Sequence, residues 1–308
     1  MNSIVDVTAL NALGLGWQES GQSVLSGKLL ELEARVDQSF VALARAWNAL
    51  EYRFPTFISA VELQKLDYFR SFPHLVSFPV SLDPEEANLE HFAREPLGPG
   101  GEVQLTKTRP VREVLTPAAC YHIYIHEQSR SFDRPRYYTT RNTCFRREQY
   151  YEPLRRQWGF NMREIVCVGT LDEVKSFLTA CSAQVDTLLS AVGLEVAWTA
   201  ATDPFFQPSK NAKYIAQRVN PTKTEAIFGG DLAIASVNLH QDHFGHTFGL
   251  SRQGAPSFSG CVAFGIERWL HAVVAQHGLD ANRWPSFPAS FPKGARTASA
   301  PVALAGDA

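Results

Sequence analysis

The sequence predicts an α+β protein whose antiparallel sheet is flanked by helices, and three observations carry that reading. From Glu113 to Thr170 the chain is rich in β-branched and aromatic residues, with "CYHIYIHE", "RYYTTRNTCFRRE" and "REIVCVGT" as strand-like runs. Helical periodicity lies mainly outside that block, in "LLELEARVDQSFVALARAWNAL" before it and "LDEVKSFLTACSAQVDTLLSAVG" after it. Strands thus group in a meander instead of alternating with helices, which favours an antiparallel sheet over βαβ units.

The elements follow in chain order. Between about residues 22 and 50, Leu29, Leu30, Val36, Phe40, Leu43, Trp47 and Leu50 recur at three- and four-residue steps, the signature of an amphipathic helix. "SAVELQKLDYFRSF" reads as a second helical stretch, leading into "HLVSFPVSL", a short strand interrupted by Pro79. "EPLGPGGEVQL" is a loop by its Pro and Gly content. After the strand block, the long helix ends at Gly193. "EVAWTAA", a polar insertion around "SKNAKYIAQRVNPTKTE", and the strands "AIFGG" and "LAIASVNLH" come next, and "CVAFGIERWLHAVVAQHG" is a strand turning into a helix. The tail "KGARTASAPVALAGDA" is low in complexity and reads as mobile.

Composition narrows the function. The 308 residues are 45% hydrophobic and 19% charged, ample for a folded core. A net charge of −2 with no lysine- or arginine-rich block lacks the electrostatic footprint of a nucleic-acid binder, so a tRNA partner is disfavoured. No apolar run approaches the ~20 residues that span a bilayer, and "MNSIVDVTALNALGLG" has no basic segment before its apolar one; the expectation is a cytoplasmic protein without a membrane partner. Five scattered cysteines, an odd number without disulfide-like spacing, read as reduced thiols with room for a metal among them.

"CFRRE" places Arg146 and Glu148 two apart in a strand-like run, where they share a face and offer one site a cation and an anion acceptor together. An ordinary salt-bridged strand face is the plain alternative. "HQDHFGH" offers His240, His243 and His246, but without a thiolate or glutamate at matching spacing it reads as a solvated loop or local hydrogen bonding. His122 and His126 in "HIYIHE" invert the zinc-protease order, and "GPGG" is a loop.

"FRRE" (Phe145 to Glu148), "GFNMREIVCVGT" and "GIERW" (Gly265 to Trp269), in that order and with a helix directly behind the last, resemble motifs 2 and 3 of the class II aminoacyl-tRNA synthetase fold. Motif 1, a helix and strand ending in proline at a dimer interface, is matched to Ser59 to Pro79. The resemblance covers roughly residues 110 to 275 and implies a class II synthetase-like antiparallel sheet flanked by helices. It divides the chain into an N-terminal helical segment (1–55), a catalytic domain (56–292) and a flexible tail (293–308). It implies that Arg146 grips the α-phosphate of ATP and Arg268 the γ-phosphate, that Glu148 accepts from the adenine amino group and that Phe160 covers the base. A guanidinium fork suits phosphate oxygens on physical grounds as well. Cys120, Glu164 and Cys261 resemble the zinc ligands of a narrow branch: the methanogen-type seryl-tRNA synthetases and the related amino acid:[carrier protein] ligases. Two thiolates and a carboxylate leave one tetrahedral position for an incoming amino group. Cys144, Cys167 and Cys181 match nothing and read as packing residues. Asp203 and Phe205 in "TDPFFQPSKNAKYIAQ" are amino-acid-pocket candidates, with loop punctuation the alternative. Where the family carries a metal-binding glutamate ahead of motif 3 this chain has Ala233, with Ser236 and Asn238 nearby, which leaves the Mg²⁺ ligands open.

The seryl enzymes of this branch carry a large tRNA-binding domain for which the chain has neither length nor charge. The resemblance therefore implies a homodimeric amino acid:[carrier protein] ligase that activates a small amino acid, glycine or alanine, with ATP, Mg²⁺ and Zn²⁺. The acyl group would pass to the phosphopantetheine thiol of a carrier protein. A non-catalytic amino-acid-binding regulator and an RNA-aminoacylating enzyme are the alternatives.

Overall fold

The computed structural model describes residues 5–294; from 295 on, the predicted tail lies outside the described residues. A short helix α1 (Val7–Ala12) leads into a hairpin of β1 (Leu15–Gln18) and β2 (Gln22–Leu25). Next, α2 (Gly27–Ala46) buries Leu29, Val36, Phe40 and Leu43 of the predicted stripe together with Leu32, whereas Leu30 is exposed, residues 22–25 belong to β2 and Leu50 falls in the following strand. β3 (Leu50–Tyr52) follows, then β4 (Phe57–Ser59), α3 (Ala60–Lys65) and α4 (Tyr68–Ser71). The second predicted helical stretch is thus split at Asp67, which adopts a left-handed conformation with φ of 59°.

Two expectations fail in this region. The run "HLVSFPVSL" is a 3₁₀ turn at Pro73–Leu75 followed by extended chain, with one isolated bridge from Leu82 to Thr108; Pro79 has no N–H for a ladder. The strand sought between helix and proline at Ser59 to Pro79 is therefore absent there. That order occurs earlier, as α2, β3 and Pro55, and β3 pairs in parallel with a long strand of the central sheet.

Helix α5 (Glu86–Arg94) lies in the 80–112 segment and buries none of its residues. β5 (Glu113–Leu115) pairs with β4. "CYHIYIHE", read as a strand, is instead helix α6 (Tyr121–His126). Its apolar run is too short for periodicity to decide. Tertiary contacts do so: Ile123 and Tyr124 pack into a buried cluster, and the Glu164 carboxylate accepts the Ala119 and Cys120 N–H groups where the helix begins. After β6 (Ser131–Phe132) come the hairpin strands β7 (Arg136–Phe145) and β8 (Gly159–Gly169). Then α7 (Leu171–Ala191) opens with a reciprocal capping box between Thr170 and Glu173, and Gly193 follows it at φ of 65°.

β9 (Val196–Ala200), α8 (Ala212–Val219), β10 (Lys223–Phe228) and β11 (Leu232–Gln241) follow. The chain then forms α9 (His243–Phe248), β12 (Ser251–Arg252), β13 (Ala255–Pro256), β14 (Phe258–Gly265) and α10 (Ile266–His277). The central sheet has the order β3-β7-β8-β14-β11-β10-β9, antiparallel throughout except for the β3–β7 pair.

Strand alternation divides the side chains between the two faces. Ile165 and Cys167 of β8 and Val262 and Phe264 of β14 meet α2, α7 and α10 in one apolar core. α2 packs in this core, and Arg163 on β8 bonds to Asp37 of α2 at 2.7 and 2.9 Å and to Glu51 of β3 at 2.9 Å. Gly260 lets α7 approach β14, since a Cβ there would sit 2.9 Å from Leu178 and 2.8 Å from the Asn238 carbonyl oxygen. The other face carries Glu164, Cys261 and Ala263 and forms the floor of a large cavity. Among the described residues, no helix is long and apolar enough to cross a membrane.

Candidate active site

The cavity on that face has a volume of about 610 Å³. Arg146, Glu148, Phe160, Arg268, Asp203, Phe205, Cys120, Glu164 and Cys261 all border it, so the structure brings every sequence-predicted site residue together.

Arg146 and Glu148 do not lie on one strand. β7 ends at Phe145: the Arg146 N–H still meets the carbonyl of Trp158, the next residue in register, but the Trp158 N–H turns to the Gly21 carbonyl and the Arg147 N–H to that of Leu75. Even so, Arg146 and Glu148 border the cavity while Arg147 is exposed, with its guanidinium 4.9 Å from the Trp158 ring and 5.5 Å from that of Tyr151. Arg146 donates from Nε to the Pro117 carbonyl at 3.0 Å, and its guanidinium lies 5.3 Å from the Phe160 ring centroid. Glu148 accepts from Arg156 at 2.9 Å. Arg268, in the first turn of α10, donates to the carbonyls of Arg155 at 2.8 Å and Ala233 at 2.9 Å. Burial, and then the charges of Arg146 and Arg156, lower Arg268 to about 10, so it remains a cation at neutral pH. Two guanidinium groups held by backbone carbonyls in one cavity form a preorganised anion site.

Sequence reasoning missed the residues that brace these arginines. Arg155, whose carbonyl holds Arg268, is itself fixed by Asp231 at 2.8 Å and His271 at 3.2 Å. Glu267, beside Arg268 in "GIER", accepts from the backbone and side chain of Asn161 at 2.8 to 3.0 Å and so ties α10 to β8. Burial raises the Glu267 carboxyl. A long loop between two strands in sequence carries no periodic signal for such ties.

Cys120, Glu164 and Cys261 form the metal-capable group, with ligand atoms all within 4.8 Å of one another and all three residues buried. Cys261 and Glu164 come from neighbouring strands and Cys120 from the start of α6. Cys120 is pushed well up by its hydrogen bond with Cys261 and by burial beside Glu164. The bond from Cys120 lowers Cys261, but burial and the Glu164 charge outweigh it, so that thiol is raised too. A bound cation reverses this balance and deprotonates both thiols. Two thiols and one carboxylate, converging from three elements, fit Zn²⁺ with one position left for another ligand. Cys144, Cys167 and Cys181 are buried free thiols outside this group.

Of the two readings of "HQDHFGH", His240 excludes the solvated loop and bears out the hydrogen-bonded one. It lies near the end of β11, in step with Ser236 and Asn238 on the cavity face, and borders the cavity. Its Nδ1 is 3.0 Å from the Tyr124 hydroxyl and 3.3 Å from that of Ser259, and its Nε2 is 3.6 Å from Cys261 Sγ. Burial lowers it to about 4, so the ring is neutral at neutral pH. The period-two pattern of "ASVNLH" was the available signal. His246 is different: it is exposed on α9 and pairs with Asp242 at 3.2 Å.

Asp203 accepts from Lys223 and from Gln217, each at 3.0 Å. Burial raises its carboxyl, but the Lys223 charge and the two hydrogen bonds hold it below the usual range. Phe205 stacks on Phe72 with centroids 4.9 Å apart. Ala233 offers only its carbonyl, which Arg268 takes. The neighbouring oxygen donors are Ser236 and, opposite it on β10, Glu225, which pairs with Lys223 at 3.0 Å.

Comparisons with known proteins give a consistent result. The family model described as the tRNA synthetase class II core domain (G, H, P, S and T) matches residues 111–277. Amino acid--[acyl-carrier-protein] ligase 1 of Bradyrhizobium diazoefficiens is 34% identical over 243 residues, covering 76% of this chain and 73% of that protein. Ligase 2 of the same organism is 30% identical over 285 residues, covering 87% and 83%. Among solved structures, the M. kandleri SerRS in complex with A. aeolicus tRNASec matches with a TM-score of 0.76 at 19% identity, a likeness of fold. It covers 91% of this chain, which spans only 59% of that one.

Proposed function

The chain belongs to the class II tRNA synthetase core family, in its branch of amino acid--[acyl-carrier-protein] ligases, and from that premise we propose the reaction it performs. It joins a small amino acid, glycine or alanine, to ATP as an aminoacyl adenylate and passes the acyl group to the phosphopantetheine thiol of a carrier protein. The observation that carries this reading is one cavity bordered both by Arg146 and Arg268 and by the Cys120, Glu164 and Cys261 triad.

Adenylate formation is attack of the substrate carboxylate on the α-phosphorus with loss of pyrophosphate, and it needs positioning and neutralisation of charge on phosphate oxygens. Arg146 serves the α-phosphate and Arg268 the γ-phosphate; both remain charged and both are held by carbonyls. Phe160 lies along the adenine face and Glu148 accepts from the adenine amino group. Mg²⁺ accompanies ATP, and Ser236 and Glu225 are the side chains that offer it oxygen beside Ala233. Cys120, Glu164 and Cys261 would hold Zn²⁺, and the ion would supply an open position for a neutral amino group. Asp203 and Phe205, which border the cavity, face the amino acid in this reading. His240 against Cys261, with Phe244 edge-on at 5.0 Å, occupies space beside the triad and supports a small side chain. In the second step the carrier thiol loses its proton and attacks the acyl carbon, a C–S bond forms, and the C–O bond to AMP breaks.

The names of the two bradyrhizobial relatives support a carrier protein as acceptor, as does a net charge of −2, which gains little from a polyanion. A homodimer in the cytoplasm without a tRNA partner completes the reading. ATP–pyrophosphate exchange, screened over the twenty amino acids with and without a zinc chelator, tests it. Exchange with glycine or alanine that chelation abolishes supports it, and exchange confined to a bulky amino acid and indifferent to chelator overturns the substrate and metal assignments.

A further inference from the structure

The two thiols of the triad have unequal surroundings. Cys261 Sγ accepts from Asn238 Nδ2 at 3.4 Å and lies 3.6 Å from His240 Nε2, whose role as donor or acceptor follows from the ring's tautomer. His240 is itself held from behind: Nδ1 is 3.0 Å from the Tyr124 hydroxyl and 3.3 Å from that of Ser259. The rings of Tyr124 and Phe244 meet it edge-on at 6.1 and 5.0 Å, and they stack on each other at 3.8 Å. This packing leaves the imidazole little freedom to turn. When Cys261 is a metal-bound thiolate it can only accept, so the His240 proton belongs on Nε2, and Nδ1 accepts from Tyr124.

We propose that His240 is a positioning residue for the metal centre: the relay from the Tyr124 hydroxyl through His240 to Cys261 Sγ fixes that thiolate and draws charge from it. Hydrogen bonds to a ligand thiolate weaken its donation to the metal, which leaves the metal more electrophilic toward the ligand at its open position. In the proposed reaction that ligand is the substrate amine, so the inference rests on the zinc reading above. The arrangement also explains why a histidine stands on the cavity face of β11 although it is no member of the metal-capable group itself.

The test uses the full chain loaded with zinc or cobalt. Competition against a chromogenic chelator measures zinc affinity, and the sulfur-to-cobalt charge-transfer band reports charge on the thiolate. His240→Phe is expected to move the band to lower energy and to lower zinc affinity by ~10- to 100-fold, because a sulfur that is no longer held in place and is more readily reprotonated outweighs its stronger donation. His240→Gln, which keeps an N–H donor, is expected to restore most of both. Tyr124→Phe should move the band in the same direction by less, and if His240→Phe does not fold, this variant carries the test. Unchanged affinity and an unmoved band in these variants overturn the assignment alone. Wild-type protein that takes up no zinc or cobalt overturns the reading beneath it as well.

Discussion

Replacing Arg268 with alanine removes one guanidinium from the cavity and two hydrogen bonds, to the Arg155 carbonyl at 2.8 Å and the Ala233 carbonyl at 2.9 Å. Two consequences can be separated. Each carbonyl left without its donor costs about 1 kcal/mol of stability, the lower end of the usual range because the cavity admits water. The catalytic loss is larger. A preorganised donor aimed at developing charge is worth ~100-fold or more, about 2.7 kcal/mol at 1.36 kcal/mol per decade. Arg268→Ala is therefore expected to lower ATP–pyrophosphate exchange by at least ~100-fold, with a modest drop in melting temperature and unchanged zinc content. Arg268→Lys keeps a cation but not the fork that meets two carbonyls and a phosphate, and is expected to recover only part of the loss. Arg147→Ala removes a side chain packed on Trp158 and Tyr151 outside the cavity, and should exchange nearly normally. Near-normal exchange by folded Arg268→Ala, at ATP concentrations below saturation, would refute the phosphate assignment.

Other expectations concern the metal and acid stability. Purified wild-type protein should hold about one zinc per chain; Cys261→Ala should lose it, whereas Cys181→Ala, in the opposite core, should keep it by metal analysis. Asp203 has a carboxyl held below its ordinary value, so its contribution to stability is present above about pH 3.9 and disappears as pH falls through the lower folded value. Asp203→Asn should accordingly melt lower at pH 7, where Lys223 loses a partner, and lose less on acidification below about pH 4 than the wild type does. An equally steep acid limb in the variant would contradict the pairing.

Long periodic elements were legible in the sequence. The buried stripe of α2 reflects burial on one side of a regular repeat, and β8 and β14, buried on both faces, carry continuous apolar runs. Short or tertiary-determined pieces were not. α6 is a helix because Glu164, 45 positions from Ala119, satisfies the N–H groups where it begins, a contact no local window contains. Arg146 and Glu148 reach the same cavity after β7 has ended, so their shared location does not come from the strand alternation that predicted it. Cys120, Glu164 and Cys261 are brought together by sheet register and α6, and only the family resemblance related them before the fold was seen. His240 shows the reverse: its strand period was visible, but loop-like neighbours in "HQDHFGH" obscured it.

The acceptor is the point on which the account stands most directly. Purified protein, ATP, Mg²⁺ and labelled glycine or alanine are incubated with holo carrier protein, with apo carrier protein and with bulk tRNA in parallel. The account predicts label on the holo carrier alone, released by base or hydroxylamine as a thioester is, because only that form carries the phosphopantetheine thiol. Label on tRNA with none on the holo carrier would contradict it.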